Sequence, residues 1–188
     1  MPNRIVPIEV DSIYHIYNRG VNKELIFFSE RNYQFFIYKM VNYMQDNASI
    51  LAYCLMPNHY HLLVKIKNAD FVQKGLQPFL ISFTNSINID QKRIGPLFQG
   101  RYQANLVFDD AYLLECVKYI HLNPVKAGLV KLLQEWGYSS YRDYLSPQSK
   151  SFVDKESVLT HFDSIFDFKN FSESELTYTN PKYFIDYL

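Results

Sequence analysis

The sequence has few of the residues that mark several classes of protein, with 2 cysteines, 6 glycines and 1 tryptophan in 188 residues. Cys54 and Cys116 are too few for the disulfide framework of a small secreted domain. No apolar run approaches the roughly 20 residues that cross a bilayer. The opening "MPNRIVPIEVD" also lacks the apolar core of a secretory signal. These absences favour a soluble cytoplasmic protein with one domain and a short tail.

The sequence also lacks net charge, because 19 Lys and Arg residues balance 19 Asp and Glu residues. The charges are unevenly distributed along the chain. Residues 65–101 contain six basic and two acidic side chains, whereas the segment from Asp143 onward contains four basic and eight acidic ones. We therefore expect a core that is more basic than the whole chain. The 16 tyrosines and 15 phenylalanines suit both core packing and stacking on unpaired bases.

Apolar periodicity and turn residues predict a strand, a helix, a β-hairpin, a second helix and a fourth strand, in that order. The corresponding regions are 11–20, 31–44, 49–67, 70–92 and 102–108. This βαββαβ order predicts an α+β fold of the ferredoxin-like type. In that fold an antiparallel sheet carries two helices on one face and leaves its other face available.

A third helix is predicted over residues 111–123, with Asp109 or Asp110 as its cap. Pro124 should end or re-angle this helix, because a residue before proline avoids the α region. We expect residues 1–145 to form the main domain. Residues 146–188 should form a loosely attached acidic C-terminal tail of unknown role, with one or two helices.

The stretch "MPNHYHLLV" places two histidines on the third strand of the predicted sheet. Side chains alternate across a strand, so His59 and His61 project to the same face and Tyr60 to the other. Imidazole is the commonest protein ligand for a transition metal, and a same-face pair on a rigid strand is preorganised to bind one. Two polar residues on a solvated strand face give the same pattern, so a structural role stays open.

The predicted third helix presents a second pair of polar groups. Its core-facing stripe consists of Leu113, Val117 and Ile120. Tyr112, Tyr119 and Asn123 share a different face, and Tyr119 and Asn123 are neighbours one turn apart. His121 points about 160° away from Tyr119, which makes it a poor candidate ligand. Ordinary roles as a boundary tyrosine and a helix-end asparagine stay open for this pair.

Five ordered motifs resemble one known family. They are "YNRGVNKELIF", "MPNHYHLLV", "FQGRYQ", "YIHLNPVKAGLV" and "WGYSSY", spread over roughly residues 10–145. Together they resemble the HUH single-tyrosine transposases, which include the REP-associated tyrosine transposases and small insertion-sequence transposases. In the family pattern the residue between the two histidines is bulky and hydrophobic, and Tyr60 departs from it by its hydroxyl.

The resemblance implies a role for each matching position. His59, His61 and Asn123 would bind a divalent metal ion, Mg²⁺ or Mn²⁺, and Tyr119 on the catalytic helix would be the nucleophile. Residues 1–145 would then be the catalytic domain of a transposase. Such an enzyme cleaves and rejoins single-stranded or hairpin DNA through a 5′-phosphotyrosine intermediate, and a homodimer is one assembly state that the family implies.

DNA binding by such an enzyme would use cations for phosphates and aromatic rings for unstacked bases. We expect contacts from the candidates Arg101, Tyr102, Lys65, Lys67, Arg93, Lys118 and Lys126. A solvated charged face is the ordinary alternative for each of the lysines.

Two other functions are consistent with the sequence. The first is a domesticated relative that binds single-stranded or hairpin nucleic acid without catalysis. The second is a zinc-dependent hydrolase in which water attacks the substrate. The hydrolase lacks a good acidic partner, because Glu115 lies about 80° round the helix from Asn123 and two turns before it.

Overall fold

The computed structural model describes residues 8–174. The first seven residues of the predicted main domain and residues 175–188 of the predicted tail lie outside the described residues. No helix within residues 8–174 has the length and apolar character needed to cross a membrane. The strands are β1 (Ile13–Arg19), β2 (Ala48–Met56), β3 (His59–Ile66) and β4 (Gln103–Val107). The helices are α1 (Glu30–Met44), α2 (Gln77–Asp90), α3 (Asp110–Lys126), α4 (Tyr141–Leu145), α5 (Glu156–Leu159) and α6 (Ile165–Glu173).

The four strands form one antiparallel sheet in the order β2-β3-β1-β4. The predicted order of elements, βαββαβ followed by helices, is therefore observed, and the α+β class is confirmed. In the register between β1 and β3, Tyr17 lies opposite His61 and Arg19 lies opposite His59. This register places the histidine pair at the end of β3 that adjoins the end of β1.

One face of the sheet packs against α1 and α2. Ser29 caps α1 through a capping box with Asn32, which fixes where the helix begins. Phe36 of α1 lies 5.2 Å from the ring of Tyr60 and 4.8 Å from that of Phe79 on α2, measured between ring centroids. Tyr60 is therefore a core residue of this layer, and burial raises the pKa of its hydroxyl.

The opposite face of the sheet, which the predicted topology leaves available, is covered by the third predicted helix. Helix α3 packs across β2 and β3 there, so the sheet lies between two helical layers. Asp109 caps α3 by accepting a hydrogen bond from the backbone N–H of Tyr112 at 2.7 Å. Pro124 does not end the helix, which continues to Lys126. The covered face is apolar apart from a few polar groups, so leaving it open would expose much hydrophobic surface.

The second predicted helix is observed in two parts. A π-helical turn, Phe71–Leu76, leads directly into α2. Pro78 lies at the start of α2, directly after the π-helical turn. The proline therefore coincides with the change from π-helical to α-helical structure.

The "WGYSSY" segment covers the edge strand β2. The backbone N–H of Leu55 donates to the carbonyl of Tyr138 at 2.9 Å, and that of Ser140 donates to Tyr53 at 3.0 Å. The indole of Trp136 donates to the carbonyl of Leu55 at 3.1 Å. These bonds satisfy backbone groups of β2 that an open edge would leave exposed.

The described part of the C-terminal tail contains two helices, as predicted, but it is not loosely attached. Phe168 of α6 is fully buried, and its ring stacks on that of Tyr144 with centroids 4.8 Å apart. Helix α6 also packs against α3, the helix that carries Tyr119. The division of the chain between residues 145 and 146 stays a prediction.

Candidate active site

The two histidines of the "HYH" stretch project toward α3. Their ring centroids are 5.1 Å apart, and both side chains are almost completely buried. The ring of Tyr119 lies 5.4 Å from that of His61 in an edge-to-face arrangement. The fold therefore brings the predicted nucleophile beside the predicted metal ligands.

Asn123 completes the arrangement through two hydrogen bonds. Its side chain bonds to that of His59, and its Nδ2 donates to the backbone carbonyl of Tyr119 at 2.8 Å. The second bond spans one turn of α3 and fixes the orientation of the amide. All four residues with a predicted chemical role are thus neighbours: His59, His61, Tyr119 and Asn123.

Two residues that were not predicted from the sequence, Asn58 and His15, form hydrogen bonds with the two histidines. His59 donates from Nδ1 to Oδ1 of Asn58 at 2.6 Å, and Nδ1 of His61 shares a hydrogen bond of 2.9 Å with Nε2 of His15. Asn58 also donates from Nδ2 to the carbonyl of Lys23 at 3.2 Å. A signal for His15 exists in "YHIYNRG", where it alternates onto one face with Tyr17, but its partner follows only from the strand register.

Burial lowers the pKa of each histidine in this group. The pKa of His15 falls to about 3 and that of His59 to about 4, and the pKa of His61 lies well below its usual 6.5. The Arg19 cation adds to the effect at His59, while the bond with Asn123 opposes it. The imidazoles are therefore neutral at pH 7, which is the form that binds a metal ion.

The donor atoms fit a divalent ion with mixed nitrogen and oxygen ligands. The bond to Asn58 holds the proton of His59 on Nδ1, so Nε2 carries the lone pair that would bind metal. No group of three His, Cys, Asp or Glu side chains suited to a metal occurs within residues 8–174. The third predicted ligand is instead the amide of Asn123. Two imidazoles in the set favour Mn²⁺ over Mg²⁺, which prefers oxygen ligands.

A cleft of about 640 Å³ lies next to His59. Its floor includes Met56 and Pro57, and Leu25 and Leu129 are exposed at its rim. The remaining lining residues are Lys23, Glu24, Phe28, Asn58, Arg93 and Ala127. A cleft with apolar walls and cations beside a candidate metal site is suited to a segment of single-stranded nucleic acid.

Four of the predicted DNA contacts lie at this end of the sheet. Arg93 lines the cleft and pairs with Glu24 at 3.1 Å, and the ammonium of Lys126 lies 5.9 Å from the Tyr119 ring. Arg101 and Tyr102 follow Gln99 and Gly100, whose segment is bonded to the end of β1. The bonds are Arg19 Nε to Gln99 Oε1 at 2.7 Å and Asn18 Nδ2 to the Gly100 carbonyl at 3.2 Å.

The other three predicted contacts lie elsewhere. Lys65 is exposed six residues along β3 from His59, about 20 Å away at the rise of a strand, and Lys67 follows it. Lys118 is 1% exposed and bonds to Ser174 Oγ at 2.8 Å, so in this structure it is not available to a phosphate. Burial beneath α6 argues against a phosphate contact by Lys118, and its role in DNA binding stays a prediction.

His121 and Glu115 point away from the site, as the helical geometry predicted. His121 shares a hydrogen bond of 2.8 Å with Ser140 Oγ, beneath the "WGYSSY" segment. Glu115 faces Lys118, with 4.0 Å between their charged atoms. No carboxylate among residues 8–174 joins the histidine pair in a metal-binding group, which weakens the hydrolase alternative.

Comparison with known proteins shows that this chain shares its fold with a solved structure. A solved structure, described as a REP-associated tyrosine transposase bound to a REP hairpin, matches the chain with a TM-score of 0.62 and 17% identity. The match covers 81% of this chain and 89% of the other, and at this identity it establishes the shared fold.

The sequence itself is 31% identical over 101 residues to a Haemophilus influenzae protein whose name assigns it to the REP-associated tyrosine transposases. The match covers 48% of this chain and spans 57% of the length of that relative. No protein-family model matches the chain. The predicted resemblance to the REP-associated tyrosine transposases is thus confirmed in sequence and in fold.

Proposed function

We propose that this chain is a metal-dependent DNA transposase that cleaves and rejoins single-stranded or hairpin DNA through a 5′-phosphotyrosine intermediate. The single observation that carries the proposal is the convergence of His59, His61 and Asn123 with Tyr119. These side chains come from a strand and a helix sixty residues apart, and a purely structural core has no need of this polar set. The strand order 2-3-1-4 supports a ferredoxin-like topology, which we propose for the main domain.

In the proposed reaction Tyr119 attacks the scissile phosphorus. The bond from its Oη to phosphorus forms as the bond from phosphorus to the 3′-oxygen breaks. Tyr119 loses its hydroxyl proton and the 3′-oxygen gains one, so the products are a phosphotyrosine and a 3′-hydroxyl. Attack by a second 3′-hydroxyl reverses these changes and joins a new strand. A divalent ion, when bound, would polarise the phosphate and offset the charge that develops on it.

The protein side chains prepare the site for this chemistry. Asn58 and His15 orient the two histidines, and Asn123 is oriented by the Tyr119 carbonyl. Because α3 carries both the nucleophile and the third ligand, one helix sets the distance between them. Preorganisation of this kind lowers the entropic cost of reaching the transition state.

The proposed partner is DNA with an unpaired segment beside a hairpin. The solved structure of similar fold contains a REP hairpin, which supports this choice of partner. The cleft beside His59 would hold the strand, with Arg93, Arg101 and Lys126 near phosphates and Tyr102 near a base. Phosphate contacts make binding weaker as salt rises, so affinity should fall steeply between about 50 and 200 mM salt.

The decisive experiment incubates the protein with single-stranded oligonucleotides that carry a hairpin, with Mn²⁺ or Mg²⁺. A covalent protein–DNA adduct that survives denaturing electrophoresis supports the proposal. Tyr119→Phe should abolish the adduct, whereas Tyr112→Phe, seven residues earlier on the same helix, should retain it. An adduct formed by Tyr119→Phe would show that the nucleophile is assigned wrongly.

One observation favours the non-catalytic alternative, a nucleic-acid-binding module. Tyr119 is only 3% exposed, so a phosphate reaches it only if the side chain or α3 moves. The alternative predicts hairpin binding that is unchanged by a chelator and by His59→Ala, with no adduct at any hairpin tested. The transposase predicts an adduct that a chelator removes.

A further inference from the structure

We propose that His15 is a positioning residue that fixes the orientation of His61 and supplies the acceptor that lets His61 Nε2 bind a metal ion. This inference rests on the proposed metal site. It concerns a residue that none of the sequence motifs marked as functional.

The geometry places the two imidazoles in direct contact. Nε2 of His15 and Nδ1 of His61 are 2.9 Å apart, and the rings lie edge to edge, with centroids 5.1 Å apart and an interplanar angle of 25°. His15 lies diagonally across the β1–β3 pairing, since its direct partner is Leu63. Both imidazoles are 1% exposed, so water does not compete for this hydrogen bond.

The hydrogen bond has two directions with different chemical results. If His61 donates from Nδ1, its Nε2 carries a lone pair and can bind metal. If His15 donates from Nε2, His61 carries its own proton on Nε2 and cannot bind. Metal binding therefore requires the first arrangement, in which the remaining proton of His15 lies on its own Nδ1.

The two histidines of the site are thus held differently. Oδ1 of Asn58 is an acceptor only, so it holds His59 in one tautomer before any ligand arrives. His15 either donates or accepts, so its bond to His61 is compatible with both tautomers. We infer that metal binding moves the proton of the His15–His61 pair into one arrangement, and that His15 supplies the acceptor which makes this possible.

His15 is not suited to be a ligand itself. Its Nε2 is occupied by His61, and coordination through that atom would break the bond that orients a ligand. Its Nδ1 is buried without a hydrogen-bond partner among residues 8–174, a costly arrangement in an ordinary core. If position 15 served packing alone, an apolar ring would fill it without burying a polar atom that lacks a hydrogen bond. The imidazole of His15 therefore points to a role in the bond with His61.

The test measures Mn²⁺ binding to the full-length protein without DNA, by calorimetry or by electron paramagnetic resonance. His15→Gln places an amide oxygen at the level of the original Nε2, where it accepts from His61 Nδ1. The side chain in His15→Asn is one bond shorter, so its amide lies at the level of the original Nδ1, short of His61 Nδ1. We expect His15→Gln to keep the wild-type affinity and His15→Asn to lose about 10- to 100-fold, the usual effect of removing an outer partner of a ligand.

The outcomes separate this inference from the proposed function. Wild-type Mn²⁺ affinity in both variants, with both folded by circular dichroism, would overturn the role of His15 while leaving the metal site in place. Absence of Mn²⁺ binding by the wild-type protein would overturn the proposed site and this inference with it. A long-range ¹H–¹⁵N spectrum with Mg²⁺ should show His61 protonated on Nδ1, and protonation on Nε2 would contradict the inference.

Discussion

The side chain of Asn123 is bonded to the imidazole of His59, and this contact links helix α3 to strand β3. The same amide donates to the carbonyl of Tyr119 one turn earlier. Asn123, near the C-terminal end of α3, therefore contacts both the helical turn that carries Tyr119 and the histidine pair.

Replacing Asn123 should weaken metal binding more than it weakens the fold. Asn123→Ala removes the oxygen ligand and the bond to His59, so we expect Mn²⁺ affinity to fall by at least about tenfold. Asn123→Asp keeps an oxygen in the same place and is the matched control. Calorimetric titration with Mn²⁺ measures both, and an Asn123→Ala protein that binds like wild type would contradict the assignment.

Removing Glu24 should strengthen DNA binding. The carboxylate of Glu24 forms an ion pair with the guanidinium of Arg93 at 3.1 Å. Because this pair is partly exposed to solvent, it contributes little to stability. Glu24→Gln frees Arg93 for a phosphate and should tighten hairpin binding by about two- to fivefold at low salt. Fluorescence anisotropy with a labelled hairpin measures the change.

A charge-matched control is available in the exposed pair of Asp70 and Lys74, which lies outside the cleft. Asp70→Asn removes the same charge and should leave hairpin affinity nearly unchanged. Equal gains from Glu24→Gln and Asp70→Asn would show that net charge, and not the cleft, causes the effect.

The tail should contribute to the stability of the whole domain. Phe168 is fully buried against Tyr144, so Phe168→Ala should cost about 3–5 kcal/mol in the free energy of unfolding. Phe166 on the same helix is 69% exposed, and Phe166→Ala should change the free energy by less than about 0.5 kcal/mol. Urea denaturation compares the two variants, and similar values would mean that α6 does not share the core.

The buried histidines should make the fold sensitive to acid. Burial lowers the pKa of His15 and of His121 to about 3 and that of His59 to about 4, against 6.5 when unfolded. Below pH 6.5 the unfolded chain binds protons that the folded chain does not, so stability is fully present above pH 6.5. It should then fall as the pH drops toward 4, by up to about 1.4 kcal/mol per pH unit for each group.

Urea denaturation between pH 7 and pH 4.5 measures this dependence. His121→Leu removes one titrating group that lies outside the candidate site, and its slope should be shallower than that of the wild type. A wild-type stability that stays constant or rises over this range would show that these histidines are protonated in the folded protein.

Local periodicity was sufficient to predict much of the candidate site. Alternation along β3 placed His59 and His61 on one side, and the helical repeat placed Tyr119 and Asn123 together, away from His121. The charge of Lys118 predicted an exposed phosphate contact, whereas its side chain is 1% exposed in the structure. Its burial under α6 depends on a packing partner more than fifty residues later in the chain.

The sequence by itself determined the order of strands and helices and the face of each element on which a polar group stands, because both follow from the fixed repeats of strand and helix. Only the tertiary structure decided that α3 lies across the histidine face of the sheet, and that His15 supports His61 from the neighbouring strand. Those relationships depend on strand register and on packing between distant segments, and no local repeat encodes either one.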